Sequence, residues 1–140
     1  TFGLPFLALD ISFHNWQVSL ATAISGLAFT IPVVTTLFFN GFILGIVEDI
    51  VQNTTMFLAA ILPHGIIELP AFVIAGSTGL NLGFELFKAL KKGNISSNGA
   101  FQENLKRTIY IIISLIPLFL IAGIIEAFIT PLIMRIYGWT

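Results

Sequence analysis

The chain contains no cysteine. That excludes thiol nucleophiles, disulfides and thiolate metal sites, so a metal would have to be held by histidine, carboxylate or other oxygen ligands. Charge is nearly as scarce, at 9% of residues, where a soluble domain carries about 25%. Such a chain cannot cover a water-facing surface. Its six Lys and Arg form no basic patch interleaved with aromatics, which argues against nucleic acid as a partner. Thr1 to Asp10 lacks the basic start and cleavage site of a signal peptide. The sequence opens on Thr1, so a processed or truncated chain is the expectation.

What remains is apolar: 56% of residues are hydrophobic, with a mean hydropathy of +0.99. The fold class is therefore all-α, a polytopic helical integral membrane protein. We expect one transmembrane domain over residues 1–140, with three or four membrane segments and proline-kinked or half-helices. Residues 1–16 are too short and too interrupted to span, and read as an interfacial or outer segment. Trp16 suits the membrane–water interface. The first long run, Val18 to Val47, is about 45 Å as one helix against a hydrocarbon core of about 30 Å. Either it is a single tilted helix kinked at Pro32, or a span to about Phe38 followed by a half-helix from Gly41. The second run goes from Thr55 to about Phe87 and the third from Thr108 to Tyr137.

Residues 88–107 hold five of the six basic side chains, so this loop is expected to be cytoplasmic. Gly93-Asn94 would end one helix and Ser96-Ser97-Asn98 start the next. Arg135, Tyr137 and Trp139 read as an interfacial anchor on the other side. Ala75, Gly76, Gly79 and Gly83, and separately Gly41 and Gly45, form small-residue seams of the kind that let helix backbones approach in lipid. They are candidate surfaces for a homodimer.

The organising stretch is Leu62-Pro63-His64-Gly65-Ile66-Ile67-Glu68-Leu69-Pro70. His64 and Glu68 are four apart and share one helix face. Ionisable groups at membrane depth are costly and are usually functional. A depth argument adds Glu126. Counting back from Phe87 to Glu68, and forward from Thr108 to Glu126, gives roughly 28 and 27 Å of helix. Joined by one loop, the two runs are antiparallel, so the carboxylates lie at one level. No Lys or Arg lies at that depth in either run. The carboxylates must then share protons or meet a cation. One neutral His and two carboxylates offset a divalent ion, and the donor set suits zinc. The metal ligands expected are His64, Glu68 and Glu126, with His14 and Asn40 as further or supporting groups. The plainer alternative is a hydrogen-bonded network of protonated glutamates without metal. Glu48 and Asp49 read as solvated helix-end charges, and Glu85 as a surface group near Lys88.

Pro63-His64-Gly65-Ile66-Ile67-Glu68-Leu69-Pro70-Ala71, with Ala75-Gly76 and Gly79-Leu80, resembles the signature of the stage II sporulation protein M family. His14-Asn15, Asn40-Gly41 and Ala122-Gly123-Ile124-Ile125-Glu126-Ala127-Phe128 extend the resemblance from His14 to Pro131. It implies a polytopic helical protein of a bacterial or archaeal cell membrane. It also implies a further span before His14, an outer N-terminal piece and the split form of the first run. Sporulation members act as a membrane platform for cell-wall hydrolases. No catalytic residue is implied. The reading is therefore a membrane scaffold with a buried His/Glu site that binds zinc or a similar ion. Its expected partners are the lipid bilayer, membrane or cell-wall-associated proteins and a second copy of itself, as a homodimer through the seams. The alternatives are an intramembrane metal-dependent hydrolase, for which HExxH is absent, and a metal-ion or proton transporter.

Overall fold

The computed structural model describes residues 3–93, 95 and 99–137. Asn94, Ser96, Ser97, Asn98 and Trp139, invoked above as helix-end and anchor residues, lie outside the described residues. Among the described residues, six α-helices follow one another: α1 (Gly3–Ile24), α2 (Thr30–Val51), α3 (Thr54–Lys91), α4 (Gly99–Ser114), α5 (Ile116–Ile124) and α6 (Thr130–Ile136). A 3₁₀ turn, Ser25–Ala28, joins α1 to α2, and a π-helical turn, Ile125–Ile129, joins α5 to α6. The all-α polytopic class holds. Among the described residues, three segments are long and apolar enough to cross a membrane: Thr30–Val51, Thr54–Lys91 and Gly99–Ile136.

The beginning of the chain departs from expectation. Residues 3–24 form one 22-residue helix that runs straight through the proposed boundary near Trp16. Both readings of the first long run also fail, because the break falls at Ser25–Phe29. Pro32 is the third residue of α2, where a missing N–H costs nothing because the first four donors have no intrahelical partner. Asn40-Gly41 lies inside α2, and the Asn40 amide nitrogen donates to the Thr36 carbonyl at 2.9 Å. Trp16 is half-buried, and its indole N–H donates to the Ile112 carbonyl at 3.0 Å. Its partner is thus a neighbouring helix.

The 38-residue α3 touches every other helix. Its start is capped by the Asn53 side chain, which accepts from the Met56 N–H at 3.0 Å. Lys88 and Lys91 sit in its last turn, where they oppose the negative end of the helix dipole. Ala23 lies against Gly79, and Thr30 and Leu37 lie against Gly83 and Gly76. Hence α1 and α2 form a hairpin against α3, with α2 antiparallel to it. On the other side of α1, Ser12 meets Gly123 and Trp16 reaches Ile112, so α1 is antiparallel to the α4–α5 segment. Ala71 and Ala75 of α3 are fully buried with Ala23, Ile112, Leu115 and Phe119.

Small residues set the spacing, because lipid supplies no hydrophobic drive between helices and close backbone contact replaces it. A methyl group on Gly79 would stand 2.9 Å from the Thr22 carbonyl oxygen and 3.0 Å from the Ala23 Cα. One on Gly26 would strike the Gly79 carbonyl oxygen. This contact fixes the level of the α1–α2 turn, whose last residue, Phe29, is held at φ 69°. The α3 seam is therefore used within the chain. Gly41 and Gly45 have open space around them, and Val33 is the buried residue of α2.

The two glycine sets make opposite predictions. Gly79→Ala and Gly26→Ala force backbone apart and should each cost about 1–3 kcal/mol, lowering the melting temperature. Gly41→Ala meets no atom and adds helix propensity, so it should be neutral or stabilising by up to about 1 kcal/mol. Thermal unfolding followed by circular dichroism in one detergent checks both. Equal effects at Gly79 and Gly41 would contradict this packing.

Candidate metal centre

His64 and Glu68 project from one face of α3, as their spacing requires. Pro63 and Pro70 lie inside the helix on either side. Each lacks a backbone N–H, so the carbonyls of Ala59 and Ile66 lose their usual intrahelical donors. Opposite them, Glu126 sits in the π turn Ile125–Ile129, between α5 and α6. A π turn holds an extra residue per turn and is common at functional sites. Here it changes the helix phase at the carboxylate that faces α3.

One ligand atom from each of His64, Glu68 and Glu126 lies within 4.8 Å of the other two. His64 Nε2 is 4.0 Å from Glu126 Oε2. All three side chains are half-buried. The imidazole also meets Thr130, whose Oγ1 is 3.5 Å from Nδ1. That hydroxyl stands 3.4 Å from the Ile125 carbonyl and donates to it. Its oxygen is then the acceptor facing Nδ1, which favours the tautomer protonated at Nδ1 and leaves the Nε2 lone pair toward Glu126. Three acceptors converge as a result: Nε2 and two carboxylates.

The supporting residues fall in a second, adjoining place. Asn15 interacts with the Glu68 carboxyl through its side chain. A cavity of about 190 Å³ opens beside Glu68. His14, Asn15 and Ser19 from α1 and Asn40 from α2 contribute its polar wall, with Phe72 and Phe119 among the apolar residues. His14 and Asn40 thus border the cavity and not the His64–Glu126 pair. Glu68 alone belongs to both. Thr130 had no part in the sequence reading. Its signal was a hydroxyl four residues after Glu126, just before Pro131. Glu85, half-buried, pairs with the exposed Lys88 at 2.7 Å, a contact of little energetic weight. Glu48 accepts from Thr54 at the α2–α3 junction, at 3.0 Å.

The family model described as "Stage II sporulation protein M" matches residues 3–131. Two curated relatives come from the archaeon Methanocaldococcus jannaschii. The uncharacterized protein MJ0706 is 34% identical over 80 residues, which is 57% of this chain and 37% of that protein. The uncharacterized protein MJ0793 is 29% identical over 135 residues, 92% of this chain and 74% of that protein. The chain thus spans well under half of the first relative and about three quarters of the second. No solved structure matches. The family model runs from α1 through the π turn into α6 and takes in His64, Glu68 and Glu126; this membrane protein belongs to the stage II sporulation protein M family.

Proposed function

We propose that the chain is a membrane scaffold in which His64, Glu68 and Glu126 hold a divalent cation, zinc or a similar ion, between α3 and the π turn. The observation that supports this reading is the convergence of three acceptors within 4.8 Å. Acceptors that face one another at membrane depth need a proton or a cation among them. The nearest basic residue along the third segment is Arg135, nine positions beyond Glu126 and roughly 13 Å further along a helix. A neutral imidazole and two carboxylates offset the charge of a divalent ion.

The fit to zinc is chemical first. Imidazole nitrogen and carboxylate oxygen are its ordinary ligands, at about 2.0–2.2 Å, and ligand atoms in such a shell stand about 3.3 Å apart. The 4.0 Å between His64 Nε2 and Glu126 Oε2 closes to that value by small rotations of the glutamate. Thr130 at Nδ1 supplies the outer hydrogen bond that metal-bound histidines usually make. The ion would tie α3 to the α5–α6 joint, which in sequence is about sixty residues away. Its work in this reading is to fix the relative position of the two longest membrane segments.

The scaffold then offers its exposed faces. Most of α2 is uncovered, and Gly41 and Gly45 leave room for a close helix approach. This is the surface for a second copy or for a membrane or cell-wall-associated partner, in keeping with the platform role of sporulation members. In this reading the chain is a multi-pass protein of the cell membrane, with the basic α3–α4 connection on the cytoplasmic side.

Elemental analysis tests the ion directly. Protein purified without chelator should carry about one divalent metal per chain, and His64→Ala should lose most of it. Occupancy at about 100 times Kd contributes roughly 2.7 kcal/mol to stability, so chelation should lower the melting temperature by several degrees. Wild-type protein without stoichiometric metal, or equal metal in His64→Ala, would remove the site. Metal loss with an unchanged melting temperature would remove the scaffold role.

A further inference from the structure

Ser19 lies in the C-terminal third of α1 and is fully buried. Among the described residues no partner is within hydrogen-bonding distance of its hydroxyl, and it is the buried side-chain polar atom of which this is true. Its neighbours on the same helix show what is ordinary here. Ser12 donates to the Ala8 carbonyl at 2.6 Å, and Thr22 to the Val18 carbonyl at 2.7 Å, which satisfies a buried hydroxyl inside a helix. Ser19 does not bond back to its own helix and instead lines the cavity beside Glu68. An orphaned buried hydroxyl costs about 1–3 kcal/mol.

The rest of that wall adds further polar atoms. Asn40 spends its amide nitrogen on the Thr36 carbonyl, so its Oδ1 remains as an acceptor. Asn15 meets Glu68 through its side chain, and His14 offers a ring nitrogen. No Lys or Arg lines the space. The wall is therefore rich in acceptors and holds one carboxylate. At about 190 Å³ the space has room for several waters, each of which needs two to four polar partners. Two larger cavities, each of about 410 Å³, are lined almost wholly by apolar side chains. Size alone therefore does not mark this one.

We infer that the His14–Asn15–Ser19–Asn40–Glu68 cavity is a water-holding vestibule, through which water and small neutral polar solutes reach Glu68. Hydrogen-bond donors are the occupants that such a wall selects: water first, then hydroxyl-bearing solutes of a few heavy atoms. Glu68 is the boundary residue, with one side toward the vestibule and the other toward His64 and Glu126. The vestibule rests on the orphaned hydroxyl and the polar wall, so it stands with or without an ion at the cluster.

The absence of native cysteine makes a clean test. Ser19→Cys and Asn40→Cys, in protein reconstituted into lipid bilayers, are treated with a charged, lipid-insoluble methanethiosulfonate. Phe39→Cys, on the exposed apolar face of α2, is the control. Thiolate forms where water is present, so both vestibule cysteines should react about tenfold faster than the control or more. Rates no greater than the control would overturn the proposal. A second measurement tests for water at Ser19 without any reagent. If water partners Ser19, Ser19→Ala loses a hydrogen bond and its melting temperature falls. If the cavity is dry, the same change deletes an orphan hydroxyl and the melting temperature rises, which would also overturn the proposal. Both readouts are taken on metal-free protein, so the loss of the ion site would leave them interpretable.

Discussion

The structure depends on one constraint: two carboxylates and an imidazole cannot face lipid, and each finds cover only in the presence of the others. His64 and Glu68 come from α3, and Glu126 comes from the π turn on the opposing segment. Bringing them within 4.8 Å requires the two longest membrane segments to pack antiparallel at one register. A slip of one helical turn, about 5.4 Å, would leave Glu126 without its neighbours. Ala71 and Ala75 of α3, packed with Ile112, Leu115 and Phe119, permit that register, and the polar cluster selects it. The π turn is consistent with this division, since it adjusts one carboxylate while α5 and α6 remain regular on either side.

Much of this was legible in the sequence, for reasons that can be named. The i, i+4 spacing of His64 and Glu68 is a local property of a helix and survives whatever tertiary structure follows. The pairing with Glu126 needed only a helix rise and one connecting loop, because apolar runs fix where each helix starts and stops. The N-terminal hairpin was hidden for the opposite reason. Its turn, Ser25-Gly26-Leu27-Ala28-Phe29, has no charge and no proline. It exists because Gly26 can touch Gly79 on a helix more than fifty residues away. Pro32 and Asn40-Gly41 carried louder local signals but sit where a helix accepts them. Thr130 and Ser19 were hidden as well, since one hydroxyl in an apolar run usually bonds to its own helix, as Ser12 and Thr22 do.

The hairpin also gives His14, Asn15 and Asn40 a common location. As an interfacial segment, residues 1–16 would have carried His14 and Asn15 to the membrane surface. Within α1, His14 and Asn15 instead lie beside Glu68 of α3. The polar residues that resemble the family signature are thus gathered around one carboxylate, in two adjoining groups. Taken together, the two proposals would combine a fixed ligand set at the His64–Glu68–Glu126 cluster with a route for solutes through the polar cavity beside Glu68. A purely structural staple needs only the first. The second is what a hydrolytic or transport activity on this scaffold would require.

The convergence of α3 with the π turn can be measured without any metal. The native chain has no cysteine, so His64→Cys with Glu126→Cys leaves two thiols, to be joined in the membrane by a short bifunctional thiol reagent and read as a linked peptide pair by mass spectrometry. Leu62→Cys with Glu126→Cys is the control, because Leu62 is exposed on α3 away from the cluster. The expected result is efficient linkage of positions 64 and 126 and little of 62 and 126. Equal or absent linkage at 64 and 126, in protein that retains its helical signal and melting transition, would contradict the shared site.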